Sequence, residues 1–320
     1  MSGKYKYLFG PVLSRRLGRS LGVDVTPLKA CSLDCIFCQC GNTAYLVTER
    51  AEFVPFSDVC AELEQWLAED GHADYITFAG SGEPTLYSRL GELITFIKER
   101  TKIPVVVLSN GTLFHRLDVC EEAAKADIVK MSLSAWDDAS FQRVNRPAPG
   151  LLFETVLAGQ RNFRRLFSGR LWLEVFLIEG INANRTQIEK IAEIATEIAP
   201  DKIHLNTAVR PPAEDFVYEV TEEKLYTSCN LFTPRAEVAA SFNTQPDTQP
   251  GLKNNDGANH TISRVVDESL ADLIPRHPST EQQLAEMCGV DTDTVRELLA
   301  PLIEEGLLQV EDRDGITWYK

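Results

Sequence analysis

Six short strand-like runs alternate with amphipathic segments along the chain. The runs are SLGVDVTP (20–27), DYITFAG (74–80), IPVVVLSN (103–110), DIVKMSLSA (127–135), LWLEVFLIEG (171–180) and DKIHLNTAV (201–209). Between them FSDVCAELEQWLAED, RLGELITFIKER, HRLDVCEEAAKA, LFETVLAGQRNFRRLF and RTQIEKIAEIATEIA repeat apolar residues at three- and four-residue spacing, as a helix with one buried face requires. Strands separated by helices pair in parallel through right-handed crossovers. The fold class is therefore α/β, as a partial barrel or an open doubly wound sheet. Both gather their chemistry at the carboxyl ends of the strands, so the residues just after each run matter most.

A length of 320 residues, 44% of them hydrophobic, allows one large domain and a small one. The opening MSGKYKYLFG holds no apolar run of signal-peptide length, and no later stretch approaches the roughly 20 apolar residues of a membrane span. The expectation is a soluble cytoplasmic protein without a membrane partner. Its net charge of −15 repels polyanions unless a local basic patch overrides it.

The composition shifts after Ala240. SFNTQPDTQPGLKNNDGANHTIS, ending near Ser263, is too polar to form a core and reads as a linker or loop. Beyond it, Ser279 or Thr280 can cap a helix that Gly289 breaks, Asp291 can cap a second, and DRDG can turn a hairpin. That order predicts a winged-helix-like domain over 264–320, after a barrel over 1–215 and an extension with linker over 216–263. Residues 275–320 carry four basic against ten acidic residues, and the presumed recognition helix offers one Arg. A structural or protein-contact role is favoured over DNA binding, and nucleic acid stays an open partner.

Four of the eight cysteines stand in CSLDCIFCQC (31–40), at the end of the first run. Cys31, Cys35 and Cys38 form C-x3-C-x2-C. Three thiolates on one loop can coordinate three irons of a cubane cluster and leave the fourth open to a ligand. Zinc is the competitor, yet tetrahedral zinc sites usually pair two C-x2-4-C knuckles, and no second pair follows. Cys40 is a spare ligand at most. Cys60, Cys120, Cys229 and Cys288 are isolated and read as small buried hydrophobes.

CSLDCIFC is similar to the C-x3-C-x-aromatic-C motif of the radical S-adenosylmethionine (radical SAM) enzymes. The resemblance continues with GSGEP (80–84), like that family's GGEP; SNGT (109–112), like its strand-ending T-N-G; and MSLSA (131–135), where the family places a Ser near its cofactor. It covers roughly residues 8–215. With FGPVLSRRLGRSLGVDV and INANRT, the chain more narrowly resembles wyosine-synthase-like members. The resemblance implies a partial (β/α)6 TIM-like barrel and a [4Fe-4S] cluster on Cys31, Cys35 and Cys38. It also implies S-adenosylmethionine held by Gly80, Ser81, Gly82, Glu83, Asn110, Ser132 and Asn182. A low-potential donor such as flavodoxin or ferredoxin would reduce the cluster. The cofactor would then give a 5′-deoxyadenosyl radical that takes hydrogen from an unidentified substrate.

The residues themselves agree with that role. Glycines around Ser81 allow close backbone approach to a ligand, and Glu83 offers a carboxylate to an ammonium group. A plain strand-to-helix turn would also explain GSGEP. Ser132 and Ser134 share one strand face, and Asn110-Gly111 is a common turn pair. Arginine forks suit anionic groups, so Arg15, Arg16, Arg146 and Arg210 are candidate substrate contacts, with surface ion pairing as the alternative. Phe163 and Phe167 have helical spacing and read as core; His204 reads as a satisfied core or lumen histidine. Two other functions stay open: a tRNA-modifying, wyosine-synthase-like enzyme, and a noncatalytic iron–sulfur sensor whose tail binds DNA or protein.

Overall fold

The computed structural model describes residues 5–14, 17–26, 29–240, 270, 274, 278–288, 290–313 and 315–320. Tyr7–Ala239 forms one compact unit, and the described residues from 278 onward belong to another.

The first unit is built on an eight-stranded sheet in the order β1-β2-β5-β6-β7-β8-β9-β10. The strands are β1 (Leu8–Ser14), β2 (Gly18–Val23), β5 (Tyr75–Phe78), β6 (Val105–Leu108), β7 (Ile128–Ser132), β8 (Arg170–Phe176), β9 (Lys202–Asn206) and β10 (Glu237–Val238). Only β1 with β2 is antiparallel; β2 through β10 run parallel. Two short strands, β3 (Ala30–Cys31) and β4 (Tyr45–Leu46), pair apart from this sheet. The helices between main strands are α1 (Phe56–Glu69), α2 (Leu90–Arg100), α3 (Leu117–Ala123), α4 (Asp138–Asn145), α5 (Phe153–Leu166), α6 (Arg185–Ile198) and α7 (Glu222–Ser228).

All six expected runs contain a strand of the parallel sheet, because each has enough apolar residues to be covered on both faces. Within α5, Phe163 is fully buried between Phe114 and Phe167, at ring distances of 4.5 and 4.9 Å. Cys60, Cys120 and Cys229 are buried singly, as small hydrophobes. The side chain of Cys288 lies outside the described residues.

Two features extend the sequence reading. Helix α4 has few apolar residues but starts at a capping box, in which Asp137 accepts from the Ser140 N–H at 2.7 Å. After residue 215 the chain adds α7 and β10 to the same unit, β10 pairing with β9. The linker expected up to Ser263 lies outside the described residues.

The second unit contains α8 (Glu281–Cys288), α9 (Thr292–Glu304) and an antiparallel hairpin, β11 (Val310–Arg313) with β12 (Ile316–Tyr319). Thr280 accepts from the Gln283 N–H, and Asp291 from the Thr294 N–H at 2.7 Å, so each helix starts at a side-chain cap. Leu284, Val295, Leu299, Leu302, Leu308 and Tyr319 close a small core.

Candidate cofactor site

The cysteine loop leaves β2 and lies at the carboxyl ends of the parallel strands. The last carbonyls of a helix lack partners within it. Here the end of α4 finds them in the loop: Asp34 N–H donates to the Asn145 and Arg146 carbonyls at 3.1 Å, and Ile36 N–H to Val144 at 3.1 Å. Arg146 ends α4 in the left-handed conformation, with φ 45°. Phe37, between Cys35 and Cys38, stacks on Phe176 at the end of β8, with ring centroids 4.2 Å apart. The aromatic residue of the motif thus fixes the loop to the sheet.

Each of two thiols has an amide donor. Asn110 Nδ2 lies 3.5 Å from Cys31 Sγ, and Asn145 Nδ2 lies 3.3 Å from Cys35 Sγ. Burial, then the Glu83 carboxylate, pushes the Cys31 thiol up to about 12. Burial and the charges of Cys38 and Cys31 push Cys35 up as well. Cys38 is pulled down, first by hydrogen bonding with Cys40 and then by the Lys29 ammonium, while Cys40 is pushed up by the same hydrogen bond. The three motif thiols therefore share one enclosed volume in which their thiolate forms repel one another.

These residues fit a cationic iron–sulfur core. It would take up three mutually repelling thiolates, and the Lys29 ammonium, buried beside Cys38, would gain an anionic neighbour. Among the described residues no three His, Cys, Asp or Glu side chains converge on a single-ion position. A cubane instead asks three thiolates to surround a volume.

GSGEP abuts this loop. A Cβ on Gly82 would stand 2.0 Å from the Ala30 carbonyl oxygen, and one on Gly80, at φ +142°, 2.4 Å from the Asp24 carboxyl carbon. The sequence reading gave these glycines to ligand approach; in the fold their missing side chains first let the turn close on β2 and the cysteine loop. Ser81 is tied to the same place, its N–H and hydroxyl donating to Asp24 Oδ2 at 3.1 and 2.7 Å.

Glu83 is 2% exposed and joins three strand ends. Its N–H donates to the Ala30 carbonyl at 3.0 Å. Its Oε1 accepts from Thr85 N–H, Thr85 hydroxyl and Ser109 hydroxyl, and its Oε2 from Asn110 N–H at 2.6 Å. Oε2 thus retains acceptor capacity that Oε1 has spent. Asn110 also donates to the Ser32 hydroxyl at 2.9 Å. A cavity of about 20 Å³ borders Asn110, Ser132, Asn145 and Gln160, on the scale of a single water.

Below this rim the strands present a layered face. Alternation and register place Ile128, Lys130 and Ser132 on the same face as Trp172, Glu174 and Phe176, and as Lys202, His204 and Asn206. Val106, Ile128 and Trp172 cluster with Leu17 as an apolar floor. Lys130 pairs with Glu174, which also accepts from Asn206 Nδ2 at 3.2 Å. His204 is buried edge-on to Trp172, ring centroids 5.4 Å apart. Ser132 and Phe176 form the mouth, where Phe37 stacks. Sequence reading named Ser132 and His204 here but missed Lys130 and Glu174. Their signal was a charge of each sign at an inward position of an otherwise apolar strand.

Asn182, expected at the cofactor, meets main chain in the fold. Fully buried, it donates to the Ser134 and Phe176 carbonyls at 2.9 Å each and accepts from Ile178 N–H at 2.7 Å. Both amide protons are spent on main chain, so it supports the strand ends. Arg146, expected as a substrate contact, pairs in the fold with Glu214, and with Asp34 at 4.0 Å. Arg210 follows β9 and is half-buried. Arg15 and Arg16 lie outside the described residues.

The model of the radical SAM superfamily matches residues 25–220. A Brachyspira hyodysenteriae protein named GTPase Obg is 34% identical over 316 residues, 99% of this chain, yet the chain spans only 45% of that protein. A UPF0026 protein of Synechocystis sp. is 36% identical over 213 residues, covering 66% of this chain and 78% of that protein. Among solved structures, TYW1 with a lysine-pyruvate adduct bound aligns over 68% of this chain and 74% of its own, at 21% identity and a TM-score of 0.53. At that identity the likeness is one of fold.

Proposed function

We propose that this chain, a member of the radical SAM superfamily and of the UPF0026 family, receives a polar substrate for hydrogen abstraction on the inner face of its parallel strands. The chain is an enzyme that uses a [4Fe-4S] cluster and S-adenosylmethionine. When bound, these supply reductive cleavage of the cofactor and the abstracting radical.

The chain's own residues bind and orient. Cys31, Cys35 and Cys38 would hold the cluster, with Asn110 and Asn145 donating to two of the sulfurs. Gly80, Ser81, Gly82, Glu83, Asn110 and Ser132 would form the rim for S-adenosylmethionine, and Oε2 of Glu83 has capacity for its ammonium group. Lys130, Glu174 and Asn206 would meet the substrate's polar head from below, and the Phe37–Phe176 stack would limit water at the mouth. The observation that carries this reading is the buried Lys130–Glu174 pair on the face that also carries Ser132 and Phe176.

A low-potential donor such as flavodoxin or ferredoxin would supply the electron, in a cytoplasm that keeps thiols reduced. Among the described residues no helix is long and apolar enough to cross a membrane. The second unit, with its acidic helix–helix–hairpin order, would be a winged-helix-like module contacting protein.

The test is anaerobic reconstitution followed by dithionite and S-adenosylmethionine, with 5′-deoxyadenosine quantified. Slow product formation by the wild type that vanishes in Cys35→Ala supports the assignment. Equal product from both would sink it.

A further inference from the structure

Lys29 stands two residues before Cys31 in the left-handed region, at φ +52°, which a lysine seldom adopts. Its side chain is turned inward: the residue is 8% exposed, and its buried Nζ finds no oxygen or nitrogen partner, only the Cys38 thiol beside it. Long lysines ordinarily keep the ammonium in water while burying the stem. A buried ammonium is unfavourable unless an anion lies beside it.

The surroundings identify that anion by chemistry. The Lys29 ammonium, two residues before Cys31, lies within interaction range of Cys35, Cys38 and Cys40. Two acidic groups lie near the same sulfurs, Glu83 by Cys31 and Asp24 by Cys40. Both carboxylates already accept hydrogen bonds from other groups, Asp24 from Ser81 and Thr26, and Glu83 from Thr85, Ser109 and Asn110.

We propose that Lys29 sets the reduction potential of the cluster held by Cys31, Cys35 and Cys38. Taking up one electron adds a negative charge to the cluster, and a fixed positive charge in a low-dielectric enclosure stabilises that state over the oxidised one. Lys29 therefore raises the potential, acting through the space around the thiolates and not as a ligand. The inference rests on the cluster assignment above and extends it to a residue outside the motif.

The experiment uses the full chain, reconstituted anaerobically without S-adenosylmethionine and reduced stepwise with dithionite while the reduced cluster is followed by electron paramagnetic resonance. Wild type, Lys29→Met and Lys29→Arg are compared at matched iron content. The expected result is at least a tenfold shift toward the oxidised cluster in Lys29→Met at any fixed potential, about 59 mV for one electron. Lys29→Arg, which keeps the charge, should stay within about threefold of wild type, on the same conversion.

Equal potentials for wild type and Lys29→Met would overturn the inference, as would Lys29→Arg falling as far as Met. Should Lys29→Met hold no cluster, Lys29→Gln replaces it, and a wild-type potential there overturns the inference too. Loss of cluster from both neutral variants but not from Lys29→Arg would make the charge a requirement of assembly and would also overturn the tuning role. A wild type that forms no four-iron cluster would instead remove the cluster assignment, so the two failures are distinguishable.

Discussion

Asn145 donates its side-chain amide to Cys35 Sγ at 3.3 Å, while its main-chain carbonyl accepts the Asp34 N–H at 3.1 Å. One residue at the end of α4 therefore serves the cysteine loop twice. Asn145→Ala removes only the first contact. The expected outcome is a folded chain, weakened by about 1 kcal/mol for one lost hydrogen bond, whose cluster reduces at lower potential because a donor to a ligating sulfur is gone. Calorimetry and a redox titration check this; an unchanged potential would remove Asn145 from the site.

Burial pushes the Glu83 carboxyl above its ordinary range, against the pull of donors from Asn110, Thr85 and Ser109. Between the ordinary value and the raised one, the native state keeps a proton that the unfolded chain has released. Stability from this group is therefore complete below the unfolded value and falls as pH rises through the native one. Glu83→Gln abolishes that slope. Its amide also confronts either the Asn110 N–H or the Thr85 and Ser109 donors, at a cost of about 1–3 kcal/mol. Urea denaturation across pH should show the wild type's advantage shrinking as pH rises above the ordinary carboxylate range, and parallel pH profiles would refute it.

Lys130 and Glu174 have side chains only 10% and 13% exposed. Removing one partner leaves the other charge buried, which typically costs about 3–5 kcal/mol, whereas replacing both with apolar residues is often neutral. The double variant Lys130→Met, Glu174→Leu should thus be more stable than either single variant. If the pair also meets substrate, the double variant cleaves S-adenosylmethionine yet loses any stimulation that substrate gives the wild type. A double variant less stable than both singles would indicate a structural network extending beyond the pair.

In the second unit, Arg296 of α9 bonds to Glu281 at 2.8 Å and to Asp293 at 2.6 Å. The one Arg of the expected recognition helix is thus held by carboxylates in an acidic unit. Phosphate contacts need available cations on the docking face. The full chain should leave the anisotropy of a labelled DNA duplex unchanged at physiological salt. Binding that weakens steeply as salt rises would reverse the reading of this unit.

The alternating pattern determined the α/β class, because a run buried on both faces and followed by an amphipathic helix has few other places to go. The cysteine spacing likewise placed three thiols on one loop, since their separation is local. What needed tertiary structure was every relationship between distant positions. Asn145 reaches Cys35 across 110 residues, and Asn110 reaches Cys31 across 79. Neither residue type at either position announces a sulfur partner. Asn182 read as a ligand residue, and its main-chain partners appear only in the fold, because an amide looks the same in sequence whichever donors and acceptors it meets. Lys130 and Glu174 lie on separate strands that only the sheet register sets side by side. Class and cysteine loop are local properties, legible residue by residue; which side chains face that loop follows from hydrogen bonding and burial, which depend on neighbours that the folded chain alone brings together.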